Sequence, residues 1–218
     1  MRRYLEVRLA GDAAVTVETT IKVVGLSALS ALEEITPAIS RAAYRAINKT
    51  VDRARAESKR RALDEVAFPA SYLSPGQGRL TSRKASSKRL EGAVTGRTRA
   101  TSLARFTKDK ALKPGQSPRE GVTVTVKTGV ARFIEGAFLV RFKSGSLGLA
   151  VRSESPPRKA YKPKKLGKNL WLLYGPSVNQ VLDSARNKGG IFTDIQEDTA
   201  VFLDREFLRL LDLEISRA

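Results

Sequence analysis

The sequence predicts an α+β fold: a long N-terminal helix arm packed on a mostly antiparallel β-sheet and closed by a C-terminal helix. Three observations carry this. Apolar and small residues recur at three- and four-residue spacing from Ile39 to Val66, the period of one helix face. From Val122 to Val151, short β-branched and aromatic runs are separated by turns at Gly129, Gly136 and Ser144-Gly145, the pattern of an antiparallel meander. Near the C-terminus Ile195, Phe202, Leu203, Phe207, Leu210 and Leu211 form a second helical stripe whose other faces are acidic.

Taken in order, residues 1–25 form a strand or hairpin arm. Tyr4, Leu5, Val7 and Leu9 alternate before Gly11-Asp12, and Val15, Val17, Ile21 and Val23 alternate after it, which predicts two short strands joined by a turn. Residues 26–218 form a single α+β domain. Within it, Leu26, Leu29, Leu32 and Ile35 make a short helical stripe that stops at Thr36-Pro37. Proline at a first helical position loses no needed hydrogen bond, so Thr36 caps a new helix beginning at Pro37. That helix ends near Phe68, because Pro69 disfavours helical geometry in the residue before it. Its buried stripe is rich in alanine, which lets another element come close while burying little area. It reads either as a strut exchanged with neighbouring subunits or as an ordinary amphipathic helix on one core.

β-compatible pieces follow at 79–85 and 89–97, then the meander strands at 122–126, 132–134, 138–142 and 147–151. Residues 107–120 and 153–169 are dense in Lys, Pro, Gly and Ser, and read as flexible basic loops because such composition buries too little apolar surface to order itself. Pro176 opens a short helix carrying Val178, Val181 and Leu182. Thr193, with Gln196 three residues later, has the capping-box spacing and opens the last helix.

Charge narrows the function. Among 218 residues, 40 Lys and Arg stand against 22 Asp and Glu, for a formal charge of +18, which favours anionic partners. There is no cysteine and no histidine, so thiolate and imidazole chemistry are excluded and no disulfide can form. No serine is followed three residues later by lysine, so the common Ser–Lys dyad spacing is missing. Asp194, Glu197 and Asp198 are acids suited to a helix's first turn rather than a metal site. No enzyme activity, cofactor or metal is expected. After Met1-Arg2-Arg3, the charges Glu6, Arg8, Asp12 and Glu18 interrupt any signal-like apolar segment. No apolar run approaches the ~20 residues that span a bilayer, so no membrane partner is expected.

The positive charge gathers in the middle of the chain. Arg79, Arg83, Lys84, Lys88, Arg97, Arg99 and Arg105 are the candidate contacts to DNA phosphates or to an acidic protein partner. No recognition-helix or zinc-finger pattern is present, so sequence-specific reading is not expected. On the long helix, Arg41, Arg45, Lys49, Arg53, Arg55, Lys59, Arg60 and Arg61 make a second basic group. Several of these have an acid nearby on the same helix, such as Glu57 four before Arg61.

Three separated strings remain: FPASYL at 68–73, TSLARF at 101–106 and LYGPSV at 173–178. In order with the Ala/Arg-rich helix, the basic strand region, the AFLVRF strand at 137–142 and the closing helix, they resemble the minor tail protein Z family of tailed bacteriophages. The resemblance runs from about Ile39 to the C-terminus and leaves the first 25 residues unmatched. It implies a virion protein made in the host cytoplasm: a tail-completion subunit in a ring at the head–tail neck, six copies favoured and twelve the alternative. Implied partners are itself, the tail terminator, head-completion proteins and the packaged double-stranded DNA, whose end it helps place. It also marks Tyr174, Gly175, Pro176 and Ser177 as a subunit contact, where the residues alone favour a strand-to-helix corner. The runner-up is a non-specific nucleic-acid-binding protein acting outside the virion.

Overall fold

Helix α1 (Pro37–Glu65) begins at the predicted proline and buries the predicted stripe: Ala42, Ala43, Ala46, Ile47, Val51, Ala54 and Ala62 are fully buried. It ends at Glu65, ahead of Phe68, because the chain turns extended: Val66 bridges Lys127, and Ala67 N–H donates to Val126 O at 2.9 Å. The computed structural model describes residues 7–8, 16–17, 20–23, 37–107, 121–157, 163–183 and 190–217. The predicted Gly11-Asp12 turn, the 26–35 stripe, the Thr36 cap and nearly all of the 107–120 loop lie outside them.

Around α1 the elements run β1 (Val7–Arg8), β2 (Thr16–Val17), β3 (Thr20–Val23), α1, β4 (Leu80–Arg83), β5 (Gly92–Gly96), β6 (Thr101–Ser102) and β7 (Gly121–Thr125). They continue with β8 (Ala131–Glu135), β9 (Ala137–Arg141), β10 (Leu147–Arg152), β11 (Lys164–Gly167), β12 (Leu170–Gly175), α2 (Val178–Leu182) and α3 (Ile191–Ile215). Every strand pairing among the described residues is antiparallel. The fold is α+β as predicted: a long N-terminal helix, antiparallel sheets and a C-terminal helix. β1 pairs β2 through Val7↔Val17, whereas Ile21 and Val23, expected in the same second strand, lie on β3, which pairs β5 in another sheet.

Two compact units share the chain. The first comprises Met1–Arg61, Pro75–Thr98 and Leu182–Ala218; the second comprises Ala62–Ser74 and Arg99–Val181.

In the first unit, β5 is the middle strand of the sheet β3–β5–β4, with Val94 paired to Ile21 on one side and Ser82 on the other. α1 lies on this sheet at Gly92. A Cβ there would collide with Val51 and come within 2.9 Å of Ile47, so the glycine lets the helix approach. Asn48 fastens the helix to the chain after β4, donating to Ala85 O at 3.2 Å and accepting from Ala85 N–H at 2.8 Å. The buried hydroxyls of Thr50 and Ser58 return hydrogen bonds to Ala46 O and Ala54 O, which satisfies them locally.

α3 buries Ile191, Phe192, Ile195, Leu203 and Leu210. Its start corrects the expected cap. The helix begins two residues before Thr193, after Gly190 at φ 84, with no side-chain cap. Burial of Ile191 and Phe192 draws the first turn back, so Thr193 sits inside it and its N–H reaches Gly190 O.

In the second unit, the four meander strands divide between two sheets. β7 pairs β8, while β9 pairs β10 in a sheet ordered β11–β12–β10–β9, with β6 on the far end of β12. A hairpin needs about two loop residues, and only Gly136, at φ 64, separates β8 from β9. The chain therefore turns a corner there rather than folding back. Leu139, Leu149 and Leu173 lie in one paired row and are buried together. The loop expected over 153–169 is corrected at Lys164–Gly167, which is strand β11, paired Lys164↔Leu172 and Lys165↔Trp171. All four of its residues are exposed, so no burial pattern marks it in the sequence.

Candidate partner-contact surfaces and the motif cluster

The strings FPASYL, TSLARF and LYGPSV meet in the second unit. Pro69 O accepts from Tyr72 N–H at 2.8 Å, a turn that carries Phe68 and Tyr72 inward with their rings stacked 5.1 Å apart. Phe106 lies 5.6 Å from Phe68. A 3₁₀ turn over Leu103–Arg105 delivers Phe106, and Leu103 is fully buried beside it. The Tyr72 hydroxyl and the Thr101 hydroxyl are 2.9 Å apart and both buried, so each answers a polar group that burial would otherwise strand. β6 then pairs with the end of β12 through Tyr174↔Ser102 and Gly175↔Thr101, which joins the third string to the second. The cluster is a packed core with hydroxyls satisfied inside it, not an open cleft with a paired acid and base.

Each residue of the YGPSV corner has a structural task. Tyr174 is half-buried at the strand end. Gly175 has Leu103 at 3.1 Å and Phe106 at 3.2 Å from where a Cβ would stand. Pro176 precedes the helix instead of opening it, which corrects the sequence reading. Ser177 is the cap: its Oγ accepts from Gln180 N–H at 3.0 Å, and Gln180 Oε1 accepts from Ser177 N–H at 3.0 Å. This reciprocal capping box is the device expected at Thr193 and Gln196. It satisfies two donors at the start of α2, whose Val178, Val181 and Leu182 are buried.

The candidate DNA or acidic-partner contacts have different surroundings. In the first unit, Arg83 lies 3.6 Å from Glu91, and Lys84 Nζ is 2.7 Å from Asp52. Both cations are thus partly answered within the chain. Arg79 Nη1 donates to Gln77 at 2.7 Å, and its carbonyl accepts from Arg97 N–H at 2.8 Å, so these two half-buried arginines flank the β4–β5 pair. Lys88 is exposed on the Ser86–Arg89 turn. In the second unit, Arg99 is exposed, and the exposed Arg105 guanidinium sits 5.4 Å from the Tyr72 ring centroid. Among the described residues, Lys88 and Arg99 have no ion-pair partner.

Sequence reasoning missed the largest electrostatic feature. α1 and α3 run antiparallel, joined by a ladder in the first unit. Arg41 and Arg45 hold Glu214 at 2.9 and 2.8 Å; Lys49 holds Glu206 at 2.7 Å; Arg61 holds Asp194 at 2.8 Å and Asp198 at 3.4 Å. Between the last two rungs, the Arg53 guanidinium lies 4.9 Å from the Phe202 ring centroid. Hydrogen bonds from Arg209, then Lys49, pull the Glu206 carboxyl down to about 2, and Arg60 with Arg61 does the same to Glu57. Arg41 holds the Glu214 carboxyl below its ordinary value. The local Glu57–Arg61 pair read from spacing is present at 2.8 Å. Four cations of the basic group, Arg41, Arg45, Lys49 and Arg61, are, however, matched by acids more than 130 positions away. The detectable signal is that basic residues four apart on one helix can be laid antiparallel against the acid spacing of another.

Among the described residues, no group of three or more acids converges as metal ligands, and no helix is long and apolar enough to cross a membrane. No protein-family model matches the chain, and no curated protein or solved structure matches it.

Proposed function

We propose that this chain is a structural part of a tailed-phage virion: a minor tail or tail-completion subunit that forms a ring at the head–tail neck beside the tail terminator and helps position the DNA end. It acts by architecture and catalyses no reaction. The reading is carried by the convergence of the three strings. They are separated by tens of residues, yet they pack as one cluster through the Tyr72–Thr101 hydroxyl pair and the β6–β12 pairing. The likeness to the tail family therefore rests on a connected folded core rather than on three unrelated surface segments. A chain carrying +18 and several exposed cations also suits a place between acidic proteins and DNA.

The test is imaging of phage particles made with and without this chain. A ring of copies at the neck in the complete particle, and its loss together with failed tail completion in the other, supports the reading. A single copy at the neck, or density only inside the capsid, overturns it. Replacing Gly175 and Pro176 should yield poorly folded chains or tails lacking the protein. Normal incorporation combined with loss of a measurable hydrolytic activity would overturn the architectural account.

A further inference from the structure

The face of α3 turned toward α1 carries Glu206 and Glu214, and Leu203 and Leu210 are buried. Its other side leaves Val201, Leu208 and Ile215 exposed at 74%, 60% and 62%. These three stand seven residues apart, so they drift only about 20° per step around the helix and form a line about 21 Å long. Scattered exposed aliphatics are ordinary, but a line of them at heptad spacing is the pattern of a helix–helix seam. The line stops at the N-terminal end, where the heptad position before Val201 is Asp194, held by Arg61. Exposed Arg205 and Asp212 flank it on one side, each four residues after a stripe residue; exposed Asp204 and half-buried Leu211 flank it on the other.

We propose that this face pairs with the same face of a second copy of the chain, antiparallel, about a two-fold axis through Leu208. The operation lays Val201 on the partner's Ile215 and Leu208 on the partner's Leu208. It sets Arg205 against the partner's Asp212 twice, places Asp204 beside the partner's Leu211 at the wet rim, and opposes the two helix dipoles. A parallel pairing would give Asp212 no cation. Three side chains make a seam well short of the roughly 800 Å² per partner of a stable complex. The pair therefore forms at high protein concentration. The contact is isologous and closes at two, and it rests on no part of the tail reading.

The chain has no cysteine, which makes the geometry directly testable on the full-length protein. Sedimentation up to about 1 mM should show a reversible rise toward the dimer mass. Leu208→Asp, at an exposed position, should keep its folding transition and remain monomeric. With a mild added oxidant that accepts the two thiol electrons, Leu208→Cys should form a disulfide-linked dimer with its own copy, whereas Val201→Cys should cross-link with Ile215→Cys and not with itself. Arg205→Asp and Asp212→Arg should each weaken dimerisation severalfold, and the double variant should recover it. An unaltered chain that stays monomeric across that range overturns the proposal. So does a Val201→Cys chain that cross-links with itself, or a Leu208→Asp chain that pairs as well as the parent.

Discussion

Gly175 shows how far one residue constrains the motif cluster. An added Cβ would stand 3.1 Å from Leu103 and 3.2 Å from Phe106, both in the buried core. Alanine requires those neighbours to yield by a few tenths of an ångström, but valine leaves no room for its methyl groups. Overpacking of this kind costs about 1–3 kcal/mol, so Gly175→Val should lower the unfolding free energy extrapolated from urea titration by that amount, and Gly175→Ala by less. The Tyr72–Thr101 hydroxyl pair makes a second case. Removing one partner leaves the other a buried polar group with one bond fewer, at about 1–2 kcal/mol. Tyr72→Phe and Thr101→Val should each destabilise, and the double variant should cost less than their sum. Additive losses in that cycle would show that the two hydroxyls do not act together.

At the scale of the element, the α1–α3 ladder gives α3 its place. Glu206 and Glu57 are held ionised down to about 2 and Glu214 is also lowered, so the folded state keeps these carboxylates charged where the unfolded chain has begun to protonate them. Their contribution is complete above the ordinary carboxylate value of about 4.5 and fades as pH falls from there toward about 2. Chemical denaturation from about pH 6 to pH 3 should therefore show stability falling with acid, with Glu206→Gln flattening the fall. Because Arg209 and Lys49 are half exposed, the loss in Glu206→Gln at neutral pH should be modest, ~1 kcal/mol. α1 itself was legible because Pro37 marks its start and alanine spacing marks its face. The ladder was not, because an acid four residues away is visible in a window of sequence and one 133 positions away, as Asp194 is from Arg61, is not. β11 was hidden for a different reason: it is held by edge pairing to β12, so its lysines need no apolar alternation. Ser177 resembled part of a motif, and its capping role emerges only with Gln180 folded back onto it.

At the scale of the molecule, the excess of positive charge is not all available to a partner. The ladder cations of α1 answer α3, and Arg83 and Lys84 stand beside Glu91 and Asp52. A phosphate contact must displace or share those acids, whereas at Lys88 and Arg99 it need not. If the basic segment meets DNA, duplex binding by the isolated chain should be indifferent to sequence, with log affinity falling linearly in log salt. Neutralising Lys88 or Arg99 should then reduce that slope by ~1, and neutralising Arg83 or Lys84 should reduce it by less, since a nearby carboxylate already offsets part of each charge. If the segment instead meets acidic neighbours in the tail, all four substitutions should leave DNA affinity unchanged and impair attachment to the tail terminator or head. Measured side by side, a flat salt response with lost incorporation removes DNA from the partners and keeps the ring. Intact incorporation with lost DNA binding and lost infectivity assigns the same cations to placing the DNA end.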